Sequence, residues 1–294
     1  MSVTTIDRTL AASLLPARSP RGNKGTFGRV LLVCGSRTMV GCCVLAAEGA
    51  LRSGAGLVTI AFPDVLTGAL TSRLTETLFL PLPTGADGGF SEAALPALLK
   101  ASDAADVTAA GCGIGRGAGA QAVTGALLAH GKKPLLLDAD ALNCLSERMF
   151  LLDETARPIL LTPHPGEMAR LCGTTAAQIE ADRVAAATDF CNRHNATLLL
   201  KGHETIVAQN DDLRVNTTGN SGLAKGGSGD LLTGLIAGLA AQTGDWFSAA
   251  SLGAYLHGLA ADLTAAELGA YAMLPTDCAS RLGQAFLTLE GNAD

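Results

Sequence analysis

A largely parallel β-sheet covered by helices on both faces is the fold class this 294-residue chain predicts, on three observations. Short apolar runs recur along the sequence, most of them separated by stretches with helical spacing, and that alternation builds parallel α/β sheets. Hydrophobic residues make up 48% of the chain and charged ones only 16%, which suits strands buried on both faces. Glycines number 35, and some directly follow an apolar run, where a strand must turn.

The elements follow in order. Val30 to Val33, within Arg29 to Gly35, reads as a buried strand ending in a glycine turn, and Cys42 to Ser53 reads as the next helix. Leu57 to Ala61 is the second strand; Asp106 to Ala110, Pro134 to Asp138, Pro158 to Leu161 and Thr197 to Leu200 continue the series. Between Thr197 and Thr217 the spacing tightens around Asn210, Asp211 and Asp212, which predicts a hairpin or an addition at the sheet edge. Leu232, Leu235, Ile236 and Leu239 predict a helix over Asp230 to Gln242, and Trp246 to Leu289 reads as two further helices. Residues 1–22 are expected to form an N-terminal arm with some helix. With no proline-rich or charge-rich linker and no internal repeat, one domain over residues 1–294 is the economical organisation.

Bulk properties exclude several partners. The net charge is -6 and the pI about 5.4. Neighbouring basic residues, Arg21 with Lys24 and Lys132 with Lys133, form no stripe to neutralise a nucleic-acid backbone. The eight cysteines occur singly or as the neighbours Cys42 and Cys43, without a C-x-x-C pair, so zinc-ribbon and thioredoxin-like chemistry are not expected. Reduced thiols and a cytoplasmic location fit this usage. The N-terminus, acidic early and only briefly apolar, falls short of a secretory signal; Arg8, Arg18 and Arg21 among small residues leave a transit peptide as the alternative. The apolar windows near the C-terminus are short or carry His257, Asp262 and Glu267, so no membrane span is expected.

In such sheets ligands bind beyond the carboxyl ends of the strands, which directs attention to the loops there. The strongest is Thr218-Gly-Asn-Ser-Gly-Leu-Ala-Lys-Gly-Gly-Ser-Gly-Asp230, running into an apolar helix. Small residues let the backbone approach a phosphate, and the unsatisfied N–H groups of the following helix point at it: Gly226, Gly227, Ser228 and Gly229 make a candidate anion hole. Asp230 can take the proton of a hydroxyl that attacks phosphorus. An isolated G-x-G-D reads as a helix cap; the three glycines, Lys225 and the preceding Gly-Asn turn favour the anion hole. No Walker A motif occurs, and the glycines of Gly111 to Gly119 never satisfy the dinucleotide pattern G-x-G-x-x-G.

Other strand exits add candidates. Leu160 to Glu167 places His164 between two prolines, better for ligand binding than for core packing. Lys201 and Gly202 stand where a cation and exposed backbone suit a nucleotide. Asp138 and Asp140 read either as holders of a hydrated magnesium ion or ribose, or as helix caps. The loop at Gly41 is a candidate for the acceptor side.

Together these residues resemble a known family, the ADP- or ATP-dependent NAD(P)H-hydrate dehydratases of the ribokinase-like superfamily. Lys24-Gly-Thr-Phe-Gly28, Thr162-Pro-His-Pro-Gly-Glu167, Leu200-Lys-Gly202 and Gly219 to Asp230 carry the resemblance in one order over nearly the whole chain. It implies a three-layer α/β/α fold with a central, mostly parallel sheet. It also implies transfer of a nucleotide's terminal phosphate, with Mg2+, to the ring hydroxyl of hydrated NADH or NADPH, followed by loss of that phosphate. By the resemblance, Asp230 is the base and contacts the hydrate with Cys42, Cys43, Gly113 and His164, while Lys201, Gly202, His203, Glu204, Thr205 and Gly229 line the ADP pocket. ADP is the donor that bacterial members favour, a homotetramer or larger assembly is implied, and the missing epimerase activity is expected from a separate protein. The chain departs from the family with Val40-Gly41-Cys42-Cys43 in place of Pro-Gly-Ala-Ala, Phe27 for tyrosine and Ser228 for threonine. A kinase of a small hydroxylated vitamin precursor, sharing the anion hole and aspartate, is the nearest alternative; a non-catalytic nucleotide-binding module is the third.

Overall fold

The computed structural model describes residues 3–291. Its centre is one ten-stranded sheet: β1 (Val3–Ile6), β2 (Arg29–Val33), β3 (Leu57–Pro63), β4 (Leu78–Leu82), β5 (Val107–Ala110), β6 (Leu135–Leu137), β7 (Ile159–Leu161), β8 (Thr197–Leu200), β9 (Thr205–Gln209) and β10 (Asp212–Asn216). The spatial order is β1-β10-β9-β8-β7-β6-β5-β2-β3-β4. β9 pairs antiparallel with both neighbours and every other pairing is parallel, so β9 alone runs against the rest.

Successive strand residues point to opposite faces, which divides the core into two layers. Val30, Leu32, Leu136, Leu160 and Leu199 pack under the helices Gly41–Arg52, Ser228–Thr243, Trp246–Ala272 and Pro275–Glu290. Leu31, Val33, Leu135, Leu137, Leu161 and Leu198 face the helices Leu95–Ala104, Ala118–Ala129, Pro165–Cys172 and Arg183–Arg193. Each of these strand residues is at most 1% exposed. Burial on both faces is why the strands read as unbroken apolar runs, with each leucine contributing roughly 2 kcal/mol. The expected three-layer α/β/α arrangement is the observed one.

Two features place the site. From β2 the chain moves outward to β3 and β4, then returns to β5 on the other flank of β2. The reversal opens a crevice at the carboxyl ends of β2 and β5, where Gly35 N–H donates to the Cys112 carbonyl at 2.9 Å. The helix Ser228–Thr243 is set close to the helix Gly41–Arg52, because a Cβ at Gly234 or Gly49 would overlap the carbonyl of Ala46 or Leu231. That contact brings the glycine loop over the crevice.

The hairpin is β9–β10, turned at Asn210 with φ 50°. The N-terminal arm holds more than the expected helix Arg8–Ser13, since Val3–Ile6 joins the edge as β1, parallel to β10. A four-residue strand among polar neighbours carries no apolar run, so pairing, not pattern, creates it. Among the described residues no helix is long and apolar enough to cross a membrane.

Candidate active site

The glycine loop is tied to the helix Trp246–Ala272. Asn220 donates from Nδ2 to Asp262 Oδ1 at 3.0 Å and accepts from Gly222 N–H at 2.9 Å, while Gly219 N–H donates to Asp262 Oδ2 at 2.8 Å. Gly227, with φ 100°, turns the chain into the helix Ser228–Thr243, a conformation that favours glycine. The N–H groups of Gly226, Gly227, Gly229 and Asp230 meet no protein acceptor among the described residues. Four such donors at the positive end of a sixteen-residue helix are what an anion needs. Ser228 differs from the expectation, since its N–H donates to the Lys225 carbonyl at 3.3 Å. Lys225 differs too: its ammonium donates to the Tyr271 and Met273 carbonyls at 2.7 and 2.6 Å, closing the end of the long helix instead of reaching toward a phosphate.

Beside Gly229 lies an ion-pair cluster. Lys201 Nζ is 2.7 Å from Asp138 Oδ1 and 3.8 Å from Glu167 Oε2, and Thr233 Oγ1 donates to Asp138 Oδ2 at 2.8 Å. Burial works against the lysine's charge, but Asp138 and Glu167 outweigh it and hold its pKa above the ordinary value. Asp230, in the first turn of the same helix, is pushed up to about 6, chiefly by burial; the Cys112 thiol pulls back, Asp138 and Asp140 push up, and Lys201 pulls down. A carboxylate poised near neutral pH, ionised above it, is suited to accept a proton.

A cavity of about 910 Å³ opens from this cluster, lined by Lys201, Gly202, His203, Glu204, Thr205, Ser228 and Gly229, with His164 at one side and Asn216, Thr218 and His257 across it. Its volume suits a nucleotide-sized ligand. Arg183 shapes one wall, donating to the Leu200 and Lys201 carbonyls at 3.0 and 3.1 Å and to the His203 carbonyl. Glu204 sits at φ 56°, a left-handed conformation held by this tight β8–β9 turn.

A sequence profile described as NAD(P)H-hydrate dehydratase matches residues 30–283. The chain belongs to the NAD(P)H-hydrate dehydratase family. It is 42% identical over 259 residues to the ADP-dependent (S)-NAD(P)H-hydrate dehydratase of Neisseria meningitidis, covering 86% of this chain and 82% of that one. To the bifunctional NAD(P)H-hydrate repair enzyme of Moorella thermoacetica it is 45% identical, covering 95% of this chain and 53% of the relative. The chain therefore spans about half the length of that bifunctional enzyme. The crystal structure of the ADP/ATP-dependent NAD(P)H-hydrate dehydratase from Bacillus subtilis, co-crystallised with ATP/Mg2+, superposes with a TM-score of 0.84 at 31% identity, covering 98% and 99% of the two chains.

Within this dehydratase fold the predicted residues separate into two groups. Lys201 to Thr205 with Gly229, the set read as nucleotide-binding, line one cavity. His203 and Glu204 are exposed on its rim, where the His203 carbonyl is taken by Arg183. On the acceptor side, Gly113 packs against Cys42, whose thiol donates to the Cys112 and Met39 carbonyls, each at 3.1 Å. Cys43 is fully buried and Cys42 9% exposed, so both thiols face the core. Hydrogen bonding with Cys43 and then burial push the Cys42 pKa up; the contact with Cys34 and then burial do so for Cys43. They are protonated spacers, not nucleophiles.

His164 is half exposed and caps the helix Pro165–Cys172, its Nδ1 accepting from Gly166 and Glu167 N–H at 3.0 and 3.3 Å. The remaining ring nitrogen, Nε2, lies 3.4 Å from Glu167 Oε1. Burial lowers its pKa against the pull of Glu167. The expectation that Asp138 and Asp140 form a pair is corrected. Asp138 is 1% exposed and bound to Lys201 and Thr233, whereas Asp140 accepts from Gly115 N–H at 2.9 Å and lies 3.7 Å from Arg116. The turn at Ala139, φ 50°, sends the two carboxylates apart, and neither is the cap. Thr233 and Arg183 are among the contributors that sequence reasoning missed, since a threonine inside an apolar helix and an arginine at a helix start carry no motif.

Proposed function

We propose that this chain is an ADP-dependent (S)-NAD(P)H-hydrate dehydratase, which restores NADH or NADPH from its hydrate and releases AMP and phosphate. One observation carries the reading: four free backbone donors cluster at a helix N-terminus whose Gly229 lines a nucleotide-sized cavity, and the last of the four residues, Asp230, carries a carboxyl with a pKa of about 6. Asp230 takes the proton of the ring hydroxyl as its oxygen attacks the terminal phosphorus and the bond to AMP breaks. The donors of Gly226, Gly227 and Gly229 meet the charge on the transferring oxygens. The phosphate ester then leaves with the C–O bonding pair while the neighbouring ring carbon loses a proton, and the ring double bond returns.

Mg2+ belongs to the same reading as a neutralising ion carried by the nucleotide phosphates. Among the described residues no three His, Cys, Asp or Glu side chains group to cage a metal. A homotetramer and a functional link to an NAD(P)H-hydrate epimerase complete the proposal. Leu268, Leu274 and Leu287 at 44%, 51% and 47% exposure, with a fully exposed Tyr271, support an interface on the C-terminal helices. A monomer by light scattering at micromolar concentration overturns the assembly.

Absorbance at 340 nm tests the chemistry: hydrated NADH or NADPH is mixed with protein, magnesium and ADP, and separately ATP. A nucleotide-dependent rise supports the reading and identifies the donor. No rise with either, in folded protein, refutes it in favour of a small-alcohol kinase.

A further inference from the structure

Lys201 has three N–H donors on its ammonium. One is fixed by Asp138 at 2.7 Å and another faces Glu167 at 3.8 Å. The backbone is fixed as well, since Lys201 N–H donates to the Pro163 carbonyl at 2.8 Å. Asp138, at the end of β6, is itself held from the other side by Thr233 at 2.8 Å, one and a half turns into the helix that begins at the glycine loop. Space above Gly229 adjoins this cluster directly: a Cβ there would stand 3.4 Å from Lys201 Nζ and 3.7 Å from Asp138 Oδ2. The lysine side chain keeps 19% of its surface open, and the residue lines the cavity.

Taking a carboxylate and an ammonium out of water carries a desolvation cost that a surface lysine would not incur. What the burial secures here is direction. We propose that Asp138, with Thr233 behind it, is a positioning residue that holds the Lys201 ammonium beside Gly229, so that its free N–H meets the nucleotide's terminal phosphoryl group. The proposal rests on the nucleotide-dependent reading above. It ties the end of β6, the end of β8 and the anion-hole helix into one unit, so the cation and the backbone donors keep their spacing as the phosphoryl group moves.

The sign of one substitution separates positioning from bulk electrostatics. Asp138→Asn removes a negative charge next to the phosphate site, and charge alone would tighten ADP binding. Positioning predicts the reverse, because the ammonium loses its strongest tether.

The experiment is calorimetric titration of full-length protein with Mg-ADP and with AMP, which lacks the terminal phosphoryl group, together with kcat from the 340 nm assay. Thr233→Val keeps the side-chain volume and deletes one hydrogen bond; Thr233→Ser restores the hydroxyl. The expected result is a threefold to tenfold loss of ADP affinity in Thr233→Val, unchanged AMP affinity, recovery in Thr233→Ser, and a larger loss of ADP affinity and kcat in Asp138→Asn. Equal losses for ADP and AMP, no recovery in Thr233→Ser, or tighter ADP binding in Asp138→Asn would each overturn the proposal. If Asp138→Asn does not fold, the two threonine variants decide alone. A wild-type protein that binds neither nucleotide removes the dehydratase reading and this inference with it, whereas normal wild-type binding with an unaltered ADP-to-AMP ratio in the variants removes only the inference.

Discussion

Asp230→Asn should make the protein more stable and nearly inactive at once. In the folded chain the carboxyl titrates at about 6 instead of 3.8, with burial as the leading cause. At 1.36 kcal/mol per tenfold change in the ionisation constant, holding this carboxylate ionised destabilises the fold by roughly 3 kcal/mol. The folded state binds the proton more tightly than the unfolded one, so this group's contribution worsens as pH rises from about 4 to 6 and is fully unfavourable above. Asparagine has no charge to bury, so its advantage should be complete at pH 8, shrink through pH 6 and vanish near pH 4. Thermal melts at these pH values read the effect, expected as a rise of roughly 6 °C at pH 8 from roughly 2 °C per kcal/mol. Turnover should fall by about 10² to 10⁴, the usual cost of removing a general base. A pH-independent Tm difference, or a destabilised variant at pH 8, would refute the burial argument; near-normal turnover would refute the role of Asp230.

Other substitutions probe the framework. The acid limb of wild-type kcat/KM should fall off below about pH 6, and a flat profile down to pH 5 would assign the base elsewhere. Gly234→Ala, which drives a Cβ into the Ala46 carbonyl, should lower stability by about 3 kcal/mol, whereas Gly283→Ala on an open helix face should raise it by about 0.5–1 kcal/mol; chemical denaturation compares the two, and equal effects would contradict the close helix contact. Lys225→Met should cost about 1–2 kcal/mol of stability through its two carbonyl bonds yet leave ADP affinity within about twofold, and a tenfold loss of affinity would return Lys225 to the phosphate site. Arg183→Ala should raise the KM for ADP severalfold by releasing the carbonyls from Leu200 to His203, with kcat little changed; an unchanged KM would show that the turn holds itself.

What the sequence by itself determined is what local chemistry determines. Parallel strands buried on both faces announce themselves as apolar runs, so Val30 to Val33, Pro158 to Leu161 and Thr197 to Leu200 were legible, as was the glycine loop that ends in a helix start. Lys201 to Thr205 was legible as a strand exit, and the family resemblance carried it to a nucleotide. The tertiary structure decided the rest, because ion pairs and edge strands depend on which distant segments meet. Asp138 and Asp140 stand two residues apart and looked like a pair, yet Ala139 turns them apart. Asp138 then finds Lys201 and Thr233, residues 63 and 95 positions away. Lys225 lay inside the strongest motif and turned out to serve a helix end. Val3–Ile6 became a strand only because the β10 edge offered it unpaired backbone. Spacing along a chain reports periodicity and turns; the partner of a buried charge is chosen by the packing of the sheet.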